Sequence, residues 1–357
     1  MMKRLNITPN TIIYIASPSI SSGGPELLHQ LSHALINLGL DTRIYYFDTY
    51  SLSPKPAEYN CYQTQTTFAI DDHSSNILIV PEVNTDLLQK FQYVQKIIWW
   101  LSIDNYYAIK LSKKTWIKLI GYFNKFAKIL NLSYFLPSPS LSHFMHTDFL
   151  DSMKGNKVDY HLVQSHYAFQ HLLSRGINIE LIDYLSDFIN SDYTSSQYKH
   201  ALSTRKNHIL YNPKKGMEFT KKLIEYSPEL EWVPLINMNR NELIKLLLIS
   251  KVYIDFGNHP GKDRFPREAA ICGCCIITGK KGAAENDIDI PIPEDYKFHD
   301  DEKVVDQIIT KIKFCLQNFS DASIDFDPYR TYIFTEKEIF KKDVKQIFGL
   351  HQKNQTP

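Results

Sequence analysis

Three short basic stretches hold the residues best suited to chemistry. The first, DFGNHPGKDRFPREAAICGCCII from Asp255 to Ile277, sets Lys262, Arg264 and Arg267 around a helix start that we place at Pro266. Proline suits the first helical position because the leading N–H groups of a helix have no internal partner. Those N–H groups, the partial positive charge of the helix end and the three cations favour a phosphate. On this placement Glu268 falls in the first turn, where its carboxylate can accept from the two hydroxyls of a ribose. The same residues also fit a plainer arrangement, in which the glutamate complements the helix dipole and the arginines are solvated. A second stretch, LYNPKKGMEF, puts Lys214 and Lys215 at the opening of another helix. A third, TGKKGAAEND from Thr278 to Asp287, is again basic and carries Gly282. Cationic loops on one strand edge suit a diphosphate, and three adjacent loops of one character are harder to ascribe to solvated charge than one.

An alternation of strands and helices must position these loops. TIIYIA (Thr11 to Ala16) reads as a buried strand, SPSISSGG as a loop ending in Gly23 and Gly24, and 25–38 as a helix with Leu27, Leu28, Leu31, Leu35 and Leu38 on one face. Gly39 ends that helix and TRIYYFD supplies a second strand. Such a unit implies a right-handed crossover, a parallel sheet and ligands at the strand carboxyl ends. NILIVPEV and KIIWWLSID follow as strands, each ending in an acid, Glu82 and Asp104. The second half repeats the plan, with strands at HILYN, EWVPLI, KVYIDFG and CCIITG and helices near 217–225, 241–250 and 266–272. The expected class is α/β, with two Rossmann-like doubly wound lobes facing across a cleft. The first lobe would span 1–190. A polar linker, 191–206, leads to a second lobe, 207–335, and a C-terminal helix and tail, 336–357, would pack back on the first lobe.

Composition limits the partners. The 357 residues exceed one ordinary core and suit two domains of roughly 150 to 200 residues. A net charge of +1 gives no global attraction for nucleic acid or an anionic surface, so any anion site must be local. The five cysteines, three of them at Cys272, Cys274 and Cys275, form no spaced ligand pattern. CGCC reads instead as a small, buried helix-to-strand junction. No signal peptide is read, so a cytoplasmic location is expected, and no run approaches the roughly eighteen apolar residues of a membrane span.

With these motifs in place, the chain resembles the GT-B glycosyltransferases, most closely the family-four-like enzymes of bacterial polysaccharide, capsule and lipopolysaccharide assembly. SGGPELLHQLSHALINLGLDTRIYYFD resembles their N-terminal glycine loop and helix, ILYNPKKGMEF their strand, basic loop and lysine-glycine pair, and PREAAICGCCIITGKKGAAEND their donor-binding helix, small-residue strand and following loop. The resemblance implies that 1–190 is the acceptor side and 207–335 the nucleotide-sugar lobe, that Glu268 binds the donor ribose, that Lys215 binds its diphosphate, and that Gly23 and Gly24 lie close to the donor phosphates. Two departures stand out. The family usually carries a glutamate eight positions before the one matching Glu268, and Pro260 stands there. The arginine that normally precedes the lysine is also absent, with Asn212 in the shortened loop. Lys262, Arg264 or Arg267 could replace its charge, and His259 or Asp263 could stand in at the sugar.

The implied reaction is displacement at an anomeric carbon with a nucleoside diphosphate leaving. Its largest demand, stabilising charge on the departing phosphate, can be met by N–H groups and Lys or Arg without a metal. No metal or other cofactor is therefore expected beyond the nucleoside-diphosphate sugar as co-substrate, and DDH at Asp71 to His73 reads as a solvated turn. The resemblance favours retention; inversion would need a base on the first lobe, for which Asp104 and Glu82 are the candidates. The acceptor would be a glycan or lipid-linked. A sugar-nucleotide epimerase of the same fold and a non-catalytic partner of a glycosyltransferase are the rival readings. Finally, 113–130 carries Trp116, Leu119, Ile120, Phe123, Phe126, Ala127 and Leu130 at helical spacing, with Lys113, Lys114, Lys118, Lys125 and Lys128. Such a segment can lie on an anionic membrane surface or pack its apolar face into the lobe.

Overall fold

The computed structural model describes residues 5–49, 51, 54–113, 125, 158–194 and 205–349. The basic amphipathic stretch 113–130 lies outside the described residues except at Lys113 and Lys125. By their contacts the residues group into two compact units, one of Met1–Gln164, Ala168–Leu185 and Val344–Pro357, the other of Ser165–Tyr167 and Ser186–Asp343. The change of unit at 185/186 precedes the polar stretch 191–206. That stretch begins in a short helix, Ser191–Thr194, and its last residue, Lys206, opens a strand.

The first unit is built on seven parallel strands: β1 (Ile12–Ser17), β2 (Asp41–Tyr46), β3 (Gln65–Thr67), β4 (Ile77–Pro81), β5 (Gln95–Trp100), β6 (Tyr160–Val163) and β7 (Ile182–Tyr184), in the order β3-β2-β1-β4-β5-β6-β7. Covered on both faces, β1, β4 and β5 read as continuous apolar runs, which is why the sequence reveals them. The strand order reverses between β1 and β4, so that switch point opens the crevice where such sheets take ligands. Helix α1 (Gly23–Asn37) starts two residues before the expected Pro25, making Gly23 and Gly24 its first residues. Leu27, Leu28, Leu31 and Leu35 are buried as expected, whereas Leu38, the C-cap residue, is exposed because the helix has already ended. Asp104 does not end a strand: β5 stops at Trp100, and Asp104 is the second residue of α2 (Ile103–Lys113). HLVQSHYAFQHLL divides into β6 and α3 (His166–Ser174).

The second unit carries β8 (Lys206–Tyr211), β9 (Glu231–Pro234), β10 (Ser250–Asp255), β11 (Cys275–Gly279) and β12 (Lys297–Phe298), all parallel, in the order β12-β11-β10-β8-β9. Here the order reverses between β8 and β10. The helices are α4 (Ser191–Thr194), α5 (Met217–Tyr226), α6 (Arg240–Ile249), α7 (Arg264–Ile271), α8 (Val305–Gln317), α9 (Phe319–Ile324) and α10 (Asp327–Phe348). Asn239 starts α6 with a capping box, its side chain accepting from the Glu242 amide while Glu242 reaches back to the Asn239 amide. CGCC is a buried junction. The Arg205 guanidinium donates to the carbonyls of Leu247, Ser250 and Cys272, and Arg330 donates to those of Ala270 and Cys274, satisfying the ends of α6 and α7. Among the described residues, no helix is long and apolar enough to cross a membrane.

Candidate functional site

The loops that leave β8, β10 and β11 meet at the carboxyl edge of the second sheet. Gly216 closes the β8 loop at φ +60°, and a Cβ there would lie 2.0 Å from the Phe256 carbonyl oxygen. Gly257, at φ +95°, would in turn bring a Cβ within 2.7 Å of the Gly216 backbone. The two chains therefore cross backbone on backbone, which only glycine permits at these angles. Gly282 has a similar task. Its Cβ would stand 2.2 Å from the His259 carbonyl oxygen, which accepts from the Ala283 amide, so it joins the β10 and β11 loops.

This crossing delivers Lys215 into a cage. Its Nζ lies 3.0 Å from Asp255 Oδ1 and 3.0 Å from His259 Nδ1, and it donates to Asp263 Oδ2. His259 Nδ1 is also 2.9 Å from Asp263 Oδ2, while its Nε2 lies 3.1 Å from the Asp255 carbonyl oxygen. Burial alone would lower the Lys215 pKa, but Asp255 and Asp263 outweigh it and hold the ammonium above its ordinary value. For Asp263, burial pushes upward and is overcome by Lys215 and His259, leaving the carboxyl at about 2. Asp255, His259 and Asp263 have the donor types of a divalent-cation site, and the Lys215 ammonium sits among them as their cation. His259 is fully buried in this cage, not presented to a transferred sugar as expected.

Two of the expected phosphate ligands belong to a second buried network. Arg267 donates from one nitrogen to both oxygens of Asp187, at 2.9 and 2.8 Å, and from another to Glu336 at 3.0 Å. Lys262 lies 2.6 Å from the other Glu336 oxygen. All four side chains are almost wholly buried, so two cations and two anions neutralise each other inside the unit. Arg267 and Lys262 are thus core groups fastening the β10 loop and α7 to α10 and to the segment after β7. Asp187 stays ionised because Arg267, and behind it Lys262, outweigh the effect of burial.

Arg264 and Glu268 are paired along α7 and only slightly exposed. Arg264 Nε lies 3.6 Å from Glu268 Oε1 one turn along α7, with side chains 15% and 9% exposed. The helix starts at Arg264, not at Pro266, so Glu268 is its fifth residue and its carbonyl accepts from Cys272. That removes Glu268 from the group of first-turn dipole partners. Pro266 is still harmless, since the third helical N–H also lacks an internal partner. Lys214 is exposed, and Asn212 shapes its loop, accepting from the Lys214 amide through its side chain and from the Lys215 amide through its carbonyl. The sequence reading missed Tyr193 on α4, which packs against α7. Burial and the neighbouring Glu268 raise its phenol well above the usual range.

In the first unit, Gly24, Glu82 and Leu101 come together at the carboxyl ends of β1, β4 and β5. Glu82 Oε2 accepts from the Leu101 amide at 3.0 Å, and a Cβ on Gly24 would meet Leu101 Cδ1 at 3.8 Å. Ser22, just ahead of Gly23, is held through its amide by the Tyr59 hydroxyl at 2.7 Å. Asp104 is buried in the first turn of α2, where an acid complements the helix dipole. Burial raises the Glu82 carboxyl to about 7 against the pull of the backbone amides of Leu101, Glu82 and Ser102. The folded protein therefore keeps this proton where the unfolded chain has lost it, so the group's stabilisation is full below about pH 4.5 and disappears as pH rises through 7. Relative to Glu82→Gln, the wild type should lose on the order of 3 kcal/mol between pH 4.5 and 8. Urea unfolding followed at Trp99 and Trp100 measures it, and a wild-type-to-variant difference that stays flat with pH would contradict the burial argument.

No protein-family model matches the chain, and no curated protein does. Solved structures do. The Anabaena protein HepE in complex with UDP aligns over 94% of this chain and 98% of its own, with a TM-score of 0.55 at 9% identity. WaaG, a glycosyltransferase involved in lipopolysaccharide biosynthesis, aligns over 95% and 100%, with a TM-score of 0.54 at 10% identity. The fold is that of the GT-B glycosyltransferases. Sucrose-phosphate synthase from Thermosynechococcus elongatus shares it over 95% of both chains, with a TM-score of 0.54 at 11% identity. The GT-B fold places β8, β10 and α7 at the carboxyl edge where the cationic loops gather; the chemistry rests on those loops.

Proposed function

We propose that the protein is a glycosyltransferase that moves a sugar from a nucleoside-diphosphate sugar to a glycan or lipid-linked acceptor in surface polysaccharide synthesis. The observation that carries this is the pair Arg264 and Glu268 on α7, beside the Lys214 and Lys215 loop, at the switch point of the second sheet. A carboxylate that accepts from vicinal hydroxyls and cations that meet a diphosphate are the two things a donor of this class needs. The fold agrees, since HepE with the same architecture was solved with UDP and with UDP-glucose.

Retention without a metal suits the geometry best. Lys215 already serves as the cation of the Asp255, His259 and Asp263 set. Glu82, one of the two base candidates, is buried and spends its carboxylate on backbone amides. A cytoplasmic protein that touches the inner membrane face through 113–130 would find a lipid-linked acceptor there.

The test is Glu268→Ala. Loss of a charge-assisted acceptor should weaken nucleoside-diphosphate binding by about 1.5 to 3 kcal/mol. Unchanged nucleotide affinity in a folded variant removes the ribose assignment. Incubation with a panel of nucleotide sugars, read as nucleoside diphosphate released with and without acceptor, separates the transferase from a non-catalytic relative. Pro260, standing where the resemblance expects a carboxylate, makes that comparison necessary.

A further inference from the structure

Two residues beyond β12, Asp300 is almost buried, with a side chain 5% exposed. Its Oδ2 accepts from the Gly257 amide at 3.1 Å and lies 2.8 Å from Lys281 Nζ. Its Oδ1 is buried with no hydrogen-bond partner and presses on Gly279, where a Cβ would come within 2.6 Å. One carboxylate thus ties together the ends of β10, β11 and β12. The peptide it holds is the informative part. The amide that Asp300 fixes belongs to the Phe256–Gly257 peptide, and the carbonyl of that same peptide is the group against which Gly216 packs. A Cβ on Gly257 would also lie 3.5 Å from Lys215 Cγ, so the lysine stem runs over the peptide that Asp300 orients.

We infer that Asp300 is a positioning residue for Lys215: by holding the Gly257 amide it sets the peptide plane on which the Gly216 loop rests, and so aims the ammonium toward a bound diphosphate. A buried carboxylate with one oxygen unpartnered is costly, and a position that merely filled space would be better occupied by an apolar group. Oδ2 is the oxygen that is used, and it is used on the amide at the crossing. Contact with Gly279 also fixes the length of the side chain, since a longer acid would have to enter the space that Gly279 leaves clear. The diphosphate as ligand rests on the glycosyltransferase reading; the placement of Lys215 does not.

The experiment has two arms. Acetylation of Lys215 by acetic anhydride, followed by peptide mass spectrometry with Lys222 as internal reference, reports the placement of the lysine without any ligand. Binding of UDP, GDP, ADP and CDP, each against its nucleoside, reports the function. Asp300→Ala should speed Lys215 acetylation roughly fivefold or more through local opening of the crossing. It should also weaken the bound diphosphate by about tenfold while leaving the nucleoside unchanged. Asp300→Asn, which keeps an acceptor for the Gly257 amide at the same length, should restore both readouts, and Asp300→Glu should restore neither. Equal Lys215 labelling in wild type and Asp300→Ala overturns the proposal, as does an asparagine variant no better than alanine. Should the alanine variant fail to fold, Asp300→Ser against Asp300→Asn makes the same comparison. If wild type binds none of the four diphosphates, the transferase reading fails, and the labelling arm still decides whether Asp300 positions Lys215.

Discussion

Replacing Arg267 with methionine is expected to destabilise the second unit by about 3 to 5 kcal/mol, the cost of stranding a buried charge. Arg267 makes three side-chain hydrogen bonds to Asp187 and Glu336, and none of these groups has appreciable access to water. After the change Glu336 keeps Lys262 at 2.6 Å, whereas Asp187 loses the guanidinium that holds both of its oxygens. The damage should therefore be concentrated on Asp187, and the double variant Asp187→Asn with Arg267→Met should recover more than half of it. That recovery separates an unpaired charge from a simple packing defect, which a second substitution would deepen. Hydrogen exchange of the β8, β10 and β11 amides in rising urea follows this unit separately from the first. A single-variant loss under about 1 kcal/mol would show that water reaches the network and that the charges are solvated.

The same residues show where sequence reading succeeds and stops. Strands β8, β10 and β11 were legible because a parallel strand covered on both faces leaves an unbroken apolar run, and the glycines at 216 and 257 mark the loops that follow. The short strands β3, β7 and β12, of three, three and two residues, leave no such run, and they were missed. Pro266 misplaced the start of α7 because a proline is tolerated anywhere in the first turn; the start is set by Asp263 in extended conformation.

Charge is the harder case. Lys262 and Arg267 look in sequence like the exposed Lys214, because what makes them core residues lies far away. Arg267 meets Asp187 across 80 positions and Glu336 across 69. No local pattern announces a pairing at that distance. Asp255 was more accessible to inference: an acid closing an otherwise apolar buried strand needs a partner, and Lys215 on the neighbouring loop is the nearest cation in the fold. Arg264 and Glu268, four apart on one helix, are the part of the candidate site that spacing alone could bring together.

The largest effect on ligand binding is expected from Lys215→Met. In the wild type the cage holds one ammonium between two carboxylates, and 17% of the lysine side chain is exposed. Methionine fills much the same volume but leaves Asp255 and Asp263 facing each other, and the approaching diphosphate, without a cation. A full charge at about 4 Å is worth about 4 kcal/mol at an effective dielectric constant of 20, so a loss of roughly 100-fold in nucleoside diphosphate affinity is a moderate expectation. The free nucleoside, which carries no phosphate, should bind as before. Asp263→Asn tells which role the lysine plays. If the ammonium meets the diphosphate, Asp263→Asn alone should tighten diphosphate binding, because it frees a lysine now shared with a carboxylate. If the lysine only neutralises its cage, Asp263→Asn should leave affinity unchanged, while adding it to Lys215→Met should restore stability. Equal losses for nucleoside and diphosphate in Lys215→Met would reject both roles, because only a collapse of the whole loop weakens the two ligands together.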